Sequence, residues 1–148
     1  NKNKHYESKI SNKNIENKEI TVDKILHNHD NLILKIDIEG DEYNILKQII
    51  SNSKKINSLL IEFHDIQKNI NLIKNFMNQS NDLKLIHIHG NNYAGANKHN
   101  DPNLIELTFT NIKKINFEQK TTEKNYPIDG LDFKNSHKKK DFILSFQD

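Results

Sequence analysis

The chain has 148 residues, 34% of them hydrophobic, with a formal net charge of +2 and a mean hydropathy of −0.85; that length suits one domain with a modest core. It has no cysteine, which excludes disulfides and thiolate metal sites, and no run nears the roughly 20 apolar residues of a membrane span. The charge is close to balanced and no basic stripe carries interleaved aromatics, which argues against a nucleic-acid partner.

There is no arginine, and Asn, Lys and Ile are over-used together. That joint bias points to an AT-rich genome, so the lysine clusters, Lys138-Lys139-Lys140 included, read as solvated surface. No basic segment followed by an apolar stretch opens the chain, so no signal peptide is expected and the location is read as cytoplasmic. The chain opens at Asn1 and its only methionine is Met77, which reads as an excised or partial chain.

Residues Asn1 to Asn17 are polar and read as a loop with at most one short extended piece. Thr21 is placed to cap a short helix, Val22 to His27. Leu32 to Ile38 is apolar on nearly every residue and reads as a strand covered on both faces, as in a parallel sheet. Gly40 breaks it, and Asp41 stands at the N-cap of a helix running to about Ser51, with Tyr43, Ile45, Leu46, Ile49 and Ile50 at helical spacing. Ile56 to Phe63 is the next strand. Ile66, Ile70, Ile73, Phe76 and Met77 form the stripe of a second helix, Ile66 to Asn78. Leu83 to His89 alternates as a third strand, with Leu83, Leu85, His87 and His89 on one face. A polar loop, Gly90 to Asn103, precedes a fourth strand, Leu104 to Phe109. Ile112 to Lys124 is ambiguous, Tyr126 to Lys140 is irregular with a turn near Gly130, and Asp141 to Phe146 is a last short strand.

Strands alternating with helices predict an α/β fold whose first three strands run parallel, with helices on the sheet faces and an antiparallel strand near the end. In such a sheet ligands bind beyond the carboxyl ends of the strands. Three strands end there in ionisable pairs: Asp37 and Glu39, Glu62 and His64, His87 and His89. A spacing of two puts each pair on one face of its strand, and strands about 4.8 Å apart bring the pairs towards one crevice. Asp37 and Glu39 follow an apolar strand, where a carboxylate costs several kcal/mol unless it is paired or bound, so both are candidate site acids. Asp41 reads as a cap. Glu42 reads either as a first-turn acid favoured by the helix dipole or as a site residue. Gly40 and Gly90 allow a sharp turn or the close approach of a ligand.

The histidines divide. His5, His27, His29, His99 and His137 lie in polar segments and read as exposed. His64, His87 and His89 read either as hydrogen-bonded core residues or, with Glu62 and Asp37, as ligands of zinc, iron or manganese; carboxylates with Asn would suit magnesium. His64 is also placed for general-base work. The sequence has no G-x-G-x-x-G, G-x-x-x-x-G-K-[ST], G-x-S-x-G or H-E-x-x-H motif.

Leu34-Lys35-Ile36-Asp37-Ile38-Glu39-Gly40-Asp41-Glu42, followed by Ile45-Leu46, resembles the LKIDVEGAE…VL signature of FkbM-type S-adenosylmethionine-dependent methyltransferases. Ile20 to Leu26 resembles the T-L-D segment that precedes it in that family, and Leu60 to His64 its next strand. The resemblance covers Glu19 to Asp65, about a third of the chain. It implies a Rossmann-like methyltransferase sheet in which the Asp37 strand is the fourth. Asp37 and Glu39 would be site acids, Glu42 a motif position, and the reaction O-methylation of a sugar or other hydroxylated metabolite. The family's glycine-rich cofactor loop lies on earlier strands, so the chain is expected to be the C-terminal half of that domain, with its cofactor-binding residues not assignable. On this reading a longer parent chain or a dimer would cover the open edge of the first strand, which is otherwise an aggregation liability. Two rival readings are a metal-dependent, hydrolase-like enzyme and a non-catalytic half-domain.

Overall fold

The computed structural model describes residues 8–13, 15, 18–114 and 125–145. Two short strands, β1 (Lys9–Ser11) and β2 (Glu19–Thr21), pair in parallel ahead of a five-residue helix, α1 (Val22–Leu26). Thr21 caps α1 as its sequence position predicts, its hydroxyl accepting from the Lys24 N–H at 3.2 Å. Then follow β3 (Leu32–Ile36), α2 (Glu42–Ser51), β4 (Ile56–Phe63), α3 (Ile66–Gln79), β5 (Leu83–Gly90), β6 (Ile105–Asn111) and the small antiparallel pair β7 (Asn125–Tyr126) and β8 (Leu144–Ser145). The expected last strand thus shrinks to β8, and Phe146 lies outside the described residues, as does His5. No helix of the described residues is long and apolar enough to cross a membrane.

The main sheet has four strands in the order β3-β4-β6-β5. β3 and β4 pair in parallel, while β6 pairs antiparallel with both β4 and β5. β3, β4 and β5 therefore run in one direction, as expected, but they do not form one parallel ladder. β6 returns from the 91–104 loop and slots between β4 and β5, so the sheet is mixed in its pairing. Inserting one antiparallel strand satisfies the backbone of both neighbours at once and leaves β5, rather than β6, at the edge.

One face of this sheet carries the core. Ile36, Leu59, Ile61, Phe63, Leu107 and Phe109 are buried there with Ile45 and Ile49 of α2 and Ile73 and Phe76 of α3. Phe76 and Phe109 meet edge to face at 5.4 Å, an arrangement the ring quadrupoles favour. On α3 the predicted stripe is narrower than expected, because Ile70 is exposed. The opposite face of β3 has no helix over it: Ile33 is 74% exposed. The apolar run of β3 thus differs from a strand covered on both faces; it is an edge strand whose only partner among the described residues is β4.

A bulge between Leu85 and His87 changes the face that β5 presents. Leu85 pairs with Phe109 and Ile88 with Leu107, both on the core side, whereas His87 and His89 pair with Thr108 and Glu106. Simple alternation would keep Leu83, Leu85, His87 and His89 together. The extra residue breaks that parity and turns the two histidines to the face away from the helices. At the end of β5, Gly90 is required for packing: a Cβ there would stand 3.0 Å from Phe142, whose ring lies against the glycine backbone.

Buried Asp82 opens β5 and is tied on both sides, to the Lys113 ammonium and to the Ser53 hydroxyl at 3.2 Å. The hydrogen bond from Lys113 holds Asp82 below the usual carboxylate range. A depressed folded-state pKa stabilises the fold above the unfolded value of about 3.9, and that contribution is lost as pH falls through the folded value. Thermal melts between about pH 2 and 5 should therefore show a steeper loss of Tm on acidification for the native chain than for Asp82→Asn.

Candidate functional site

β3 and β4 deliver their C-terminal ends side by side. The register pairs Ile36 with Ile61, so the next residues along, Asp37 and Glu62, fall opposite each other on the helix-free face. His64 follows one residue after β4 ends. One side-chain donor atom from each of Asp37, Glu62 and His64 lies within 4.8 Å of the others. Convergence of the first two strand ends, expected from sequence, is what the fold produces.

His64 is held by the first turn of α2. Glu42 is fully buried, and its Oε1 stands 2.5 Å from His64 Nδ1 while also accepting the Gly40 N–H at 3.2 Å. A carboxylate only accepts, so the hydrogen bond to Glu42 is made by a proton on His64 Nδ1, and Nε2 faces outward towards Glu39. The next residue, Tyr43, donates its hydroxyl to the His64 carbonyl at 2.5 Å and packs its ring on Phe63. Burial pushes the Tyr43 phenol up to about 12, so it remains a donor. Two successive residues of one helical turn thus fix both the ring and the backbone of His64.

The turn that allows this uses two positive φ values, Glu39 at 54° and Gly40 at 101°. Glycine takes that conformation freely, whereas Glu39 takes it against its Cβ. Glu39 is 87% exposed, with Oε2 at 3.4 Å from His64 Nε2. Asp41 holds the N-cap position but makes no side-chain capping bond; it pairs with Lys9 at 2.5 Å and accepts from Asn44. Glu42 is the first-turn acid that its position predicts, and it is also bonded to His64.

Glu62 also accepts from Asn91 at 3.0 Å. Burial raises the Glu62 carboxyl above its usual range, and the adjacent Asp37 carboxylate pushes the same way against the Asn91 hydrogen bond. The expected grouping of Glu62 with His87 and His89 does not form. β6 stands between, and its Glu106 pairs across with Glu62 on one side and His89 on the other. His87 Nε2 is taken by Asp132 at 2.7 Å, and its ring meets Tyr126 edge to face. His89 Nδ1 faces Glu106 at 3.4 Å and Nε2 faces Asp141 at 3.5 Å. Among the described residues the group whose donor atoms lie within 4.8 Å of one another is Asp37, Glu62 and His64, not Glu62 with His87 and His89.

Glu62, His87 and His89 share one cavity of about 260 Å³ on the helix-free face, lined also by Lys35, Glu106 and Asp132. The 125–145 segment closes one side of it. Asn92 fastens that segment through reciprocal bonds with Ser136, accepting from its N–H at 2.7 Å and donating to its carbonyl at 3.0 Å. His27, His29, His99 and His137 are exposed, as expected. Glu106 was legible in principle, since it alternates with Ile105 and Leu107 in a strand. Asp132 and Asp141 come from an irregular segment that carries no period to read.

The Glu106 contact, ahead of Asp141, raises His89 above its usual value against the effect of burial, and the same contact holds Glu106 low. Stabilisation through His89 is complete below the unfolded value of about 6.5 and lost as pH rises through the higher folded value. Through Glu106 it is present above about 4.3 and lost as pH falls through the lower folded value. An NMR titration should place His89 above a free imidazole, and Glu106→Gln should bring it down and flatten the decline of Tm through neutral pH.

A family profile described as the methyltransferase FkbM domain matches residues 1–93, a span that contains Asp37, Glu39, Glu42, Glu62, His64, His87 and His89. No curated protein and no solved structure matches the chain. The match covers well over half of the 148 residues, and the matched span carries the buried Glu42 brace and the strand ends that form the cluster. The chain belongs to the FkbM methyltransferase domain family.

Proposed function

We propose that the domain serves S-adenosylmethionine-dependent O-methylation of a hydroxylated small molecule or glycan, with the acceptor hydroxyl at Asp37, Glu62 and His64. Family membership supports methyl transfer. The observation that carries the acceptor side is the braced cluster: two carboxylates and an imidazole at adjacent parallel strand ends, with a buried carboxylate behind the imidazole. A hydroxyl is a weak nucleophile until its proton is removed or its pKa lowered. Here the acceptor O–H would be held by the carboxylates beside Nε2 of His64 and would lose its proton to the cluster, leaving the oxygen electron pair free for the methyl group. The cavity running from Glu62 to His87 gives the rest of the acceptor a mixed lining, with Glu106, Asp132 and His89 for polar groups and Leu60 and Leu107 for apolar ones.

The sequence has no G-x-G-x-x-G loop after a strand to hold the cofactor. No residue is therefore assigned to the cofactor and no step is routed through it. His64 is the proposed catalytic residue and Glu42 its positioning residue.

The test is transfer of labelled methyl from S-adenosylmethionine to a panel of sugars and polyols by the full chain. His64→Gln should lower the rate about 100- to 10,000-fold. Glu42→Gln should lower kcat about 10- to 100-fold with KM little changed, because it misorients the ring without touching the acceptor. Far-UV circular dichroism establishes that each variant folds. Absence of transfer to every acceptor, or full activity in folded His64→Gln, overturns the reading.

A further inference from the structure

We propose that Asp37, Glu62 and His64 form a binding site for one divalent cation of the manganese or zinc class. The chemical role of this site rests on the acceptor reading above; its existence does not.

Three observations converge. The first is geometric. Donor atoms within 4.8 Å of one another need only small rotations to share an ion at about 2.1 Å from each, and Asp37, being exposed, is free to make them. The second is the donor set. Two carboxylates with one imidazole suit manganese, zinc or ferrous iron better than calcium or magnesium, which take oxygen ligands. The third lies outside the donor set. Glu42, fully buried, braces His64 Nδ1 with Oε1, and its Oε2 is buried without a hydrogen-bond partner. A metal-ligating histidine almost always gives its other ring N–H to such a carboxylate, which fixes the ring and raises its basicity.

A cation would also offset the like charges of Asp37 and Glu62, which stand together with Glu42 behind them. Among the described residues no lysine forms an ion pair with any of the three: Lys9 pairs with Asp41 and Lys68 with Asp65, and Lys35 lines the cavity beside Glu62. The other two histidines of this sheet face stand apart from the cluster: His87 is bonded to Asp132 and His89 lies between Glu106 and Asp141. Three protein ligands leave coordination positions open to water or to the acceptor hydroxyl. A cation there lowers the hydroxyl pKa, and with the cation bound His64 acts as its ligand through Nε2 and no longer takes the proton itself. When the O–H bond breaks, the electron pair stays on oxygen and the proton passes to solvent or to exposed Glu39 beside the imidazole.

The experiment adds Mn2+ alone to the full chain after stripping with EDTA, and follows binding by calorimetry and by loss of the free Mn2+ electron paramagnetic resonance signal. One Mn2+ per chain is expected. Asp37→Asn, at an exposed position outside the core, should weaken it at least tenfold, and Glu42→Gln about 10- to 100-fold. His137→Gln, at an exposed histidine outside the cluster, should leave it unchanged. Failure of both Mn2+ and Zn2+ to bind, or equal affinity in native and Asp37→Asn chains, overturns the proposal. Mn2+ bound with no methyl transfer to any acceptor keeps the site and removes the acceptor reading. Methyl transfer persisting in EDTA, with no Mn2+ bound, keeps the acceptor reading and removes the site.

Discussion

Glu42 is a carboxylate with no exposed surface, in the first turn of a helix that packs on the core. A charged group costs several kcal/mol to bury unless its environment compensates. Compensation comes from three directions: the N-terminal end of the helix dipole, the Gly40 N–H, and the His64 imidazole. Each of these fixes a different piece of chain. The Gly40 contact locks the turn after β3, the helix end sets α2 against the sheet, and the His64 contact pins the end of β4. Much of the geometry of the site thus follows from satisfying one buried acid, and Tyr43 reinforces it from the neighbouring position.

The sheet then divides labour between its faces. Apolar side chains and all three helices share one side, and the polar rows Lys35-Leu60-Thr108-His87 and Glu62-Glu106-His89 occupy the other. These rows need partners of their own. The 125–145 segment supplies Asp132 and Asp141 to the β5 histidines and is fastened by Asn92 and by Phe142 on Gly90. At Asp37, Glu62 and His64 the partners are local instead: Asn91 on Glu62, and Glu39 and Glu42 on His64.

Most elements of this architecture were readable in advance. Periodicity located α2, α3, β4 and β5 nearly to the residue, and the abrupt change from an apolar run to Asp37-x-Glu39-Gly40-Asp41-Glu42 marked the site. Three features were not readable. The coverage of β3 depends on what lies beside it, and an Ile-rich strand looks the same at an edge as in a centre. The bulge at Leu85/His87 adds one residue without a glycine or proline to announce it. The position of β6 between β4 and β5 is a property of the returning loop, and chain order alone favours placing it at the edge.

The sequence by itself determined which ionisable residues fall at the strand ends, because a carboxylate or imidazole closing an apolar strand stands out from the run before it. It also carried the FkbM signature. Only the tertiary structure decided how those residues are partnered. Hydrogen bonds between side chains 22 or 45 residues apart, Glu42 with His64 and His87 with Asp132, leave no local period in the chain. They arise when strand register and helix docking bring the groups within reach. For that reason His64, His87 and His89 look equivalent as letters and differ as atoms: the acids beside His87 and His89 come from β6 and the 125–145 segment, those beside His64 from the turn after β3 and the first turn of α2.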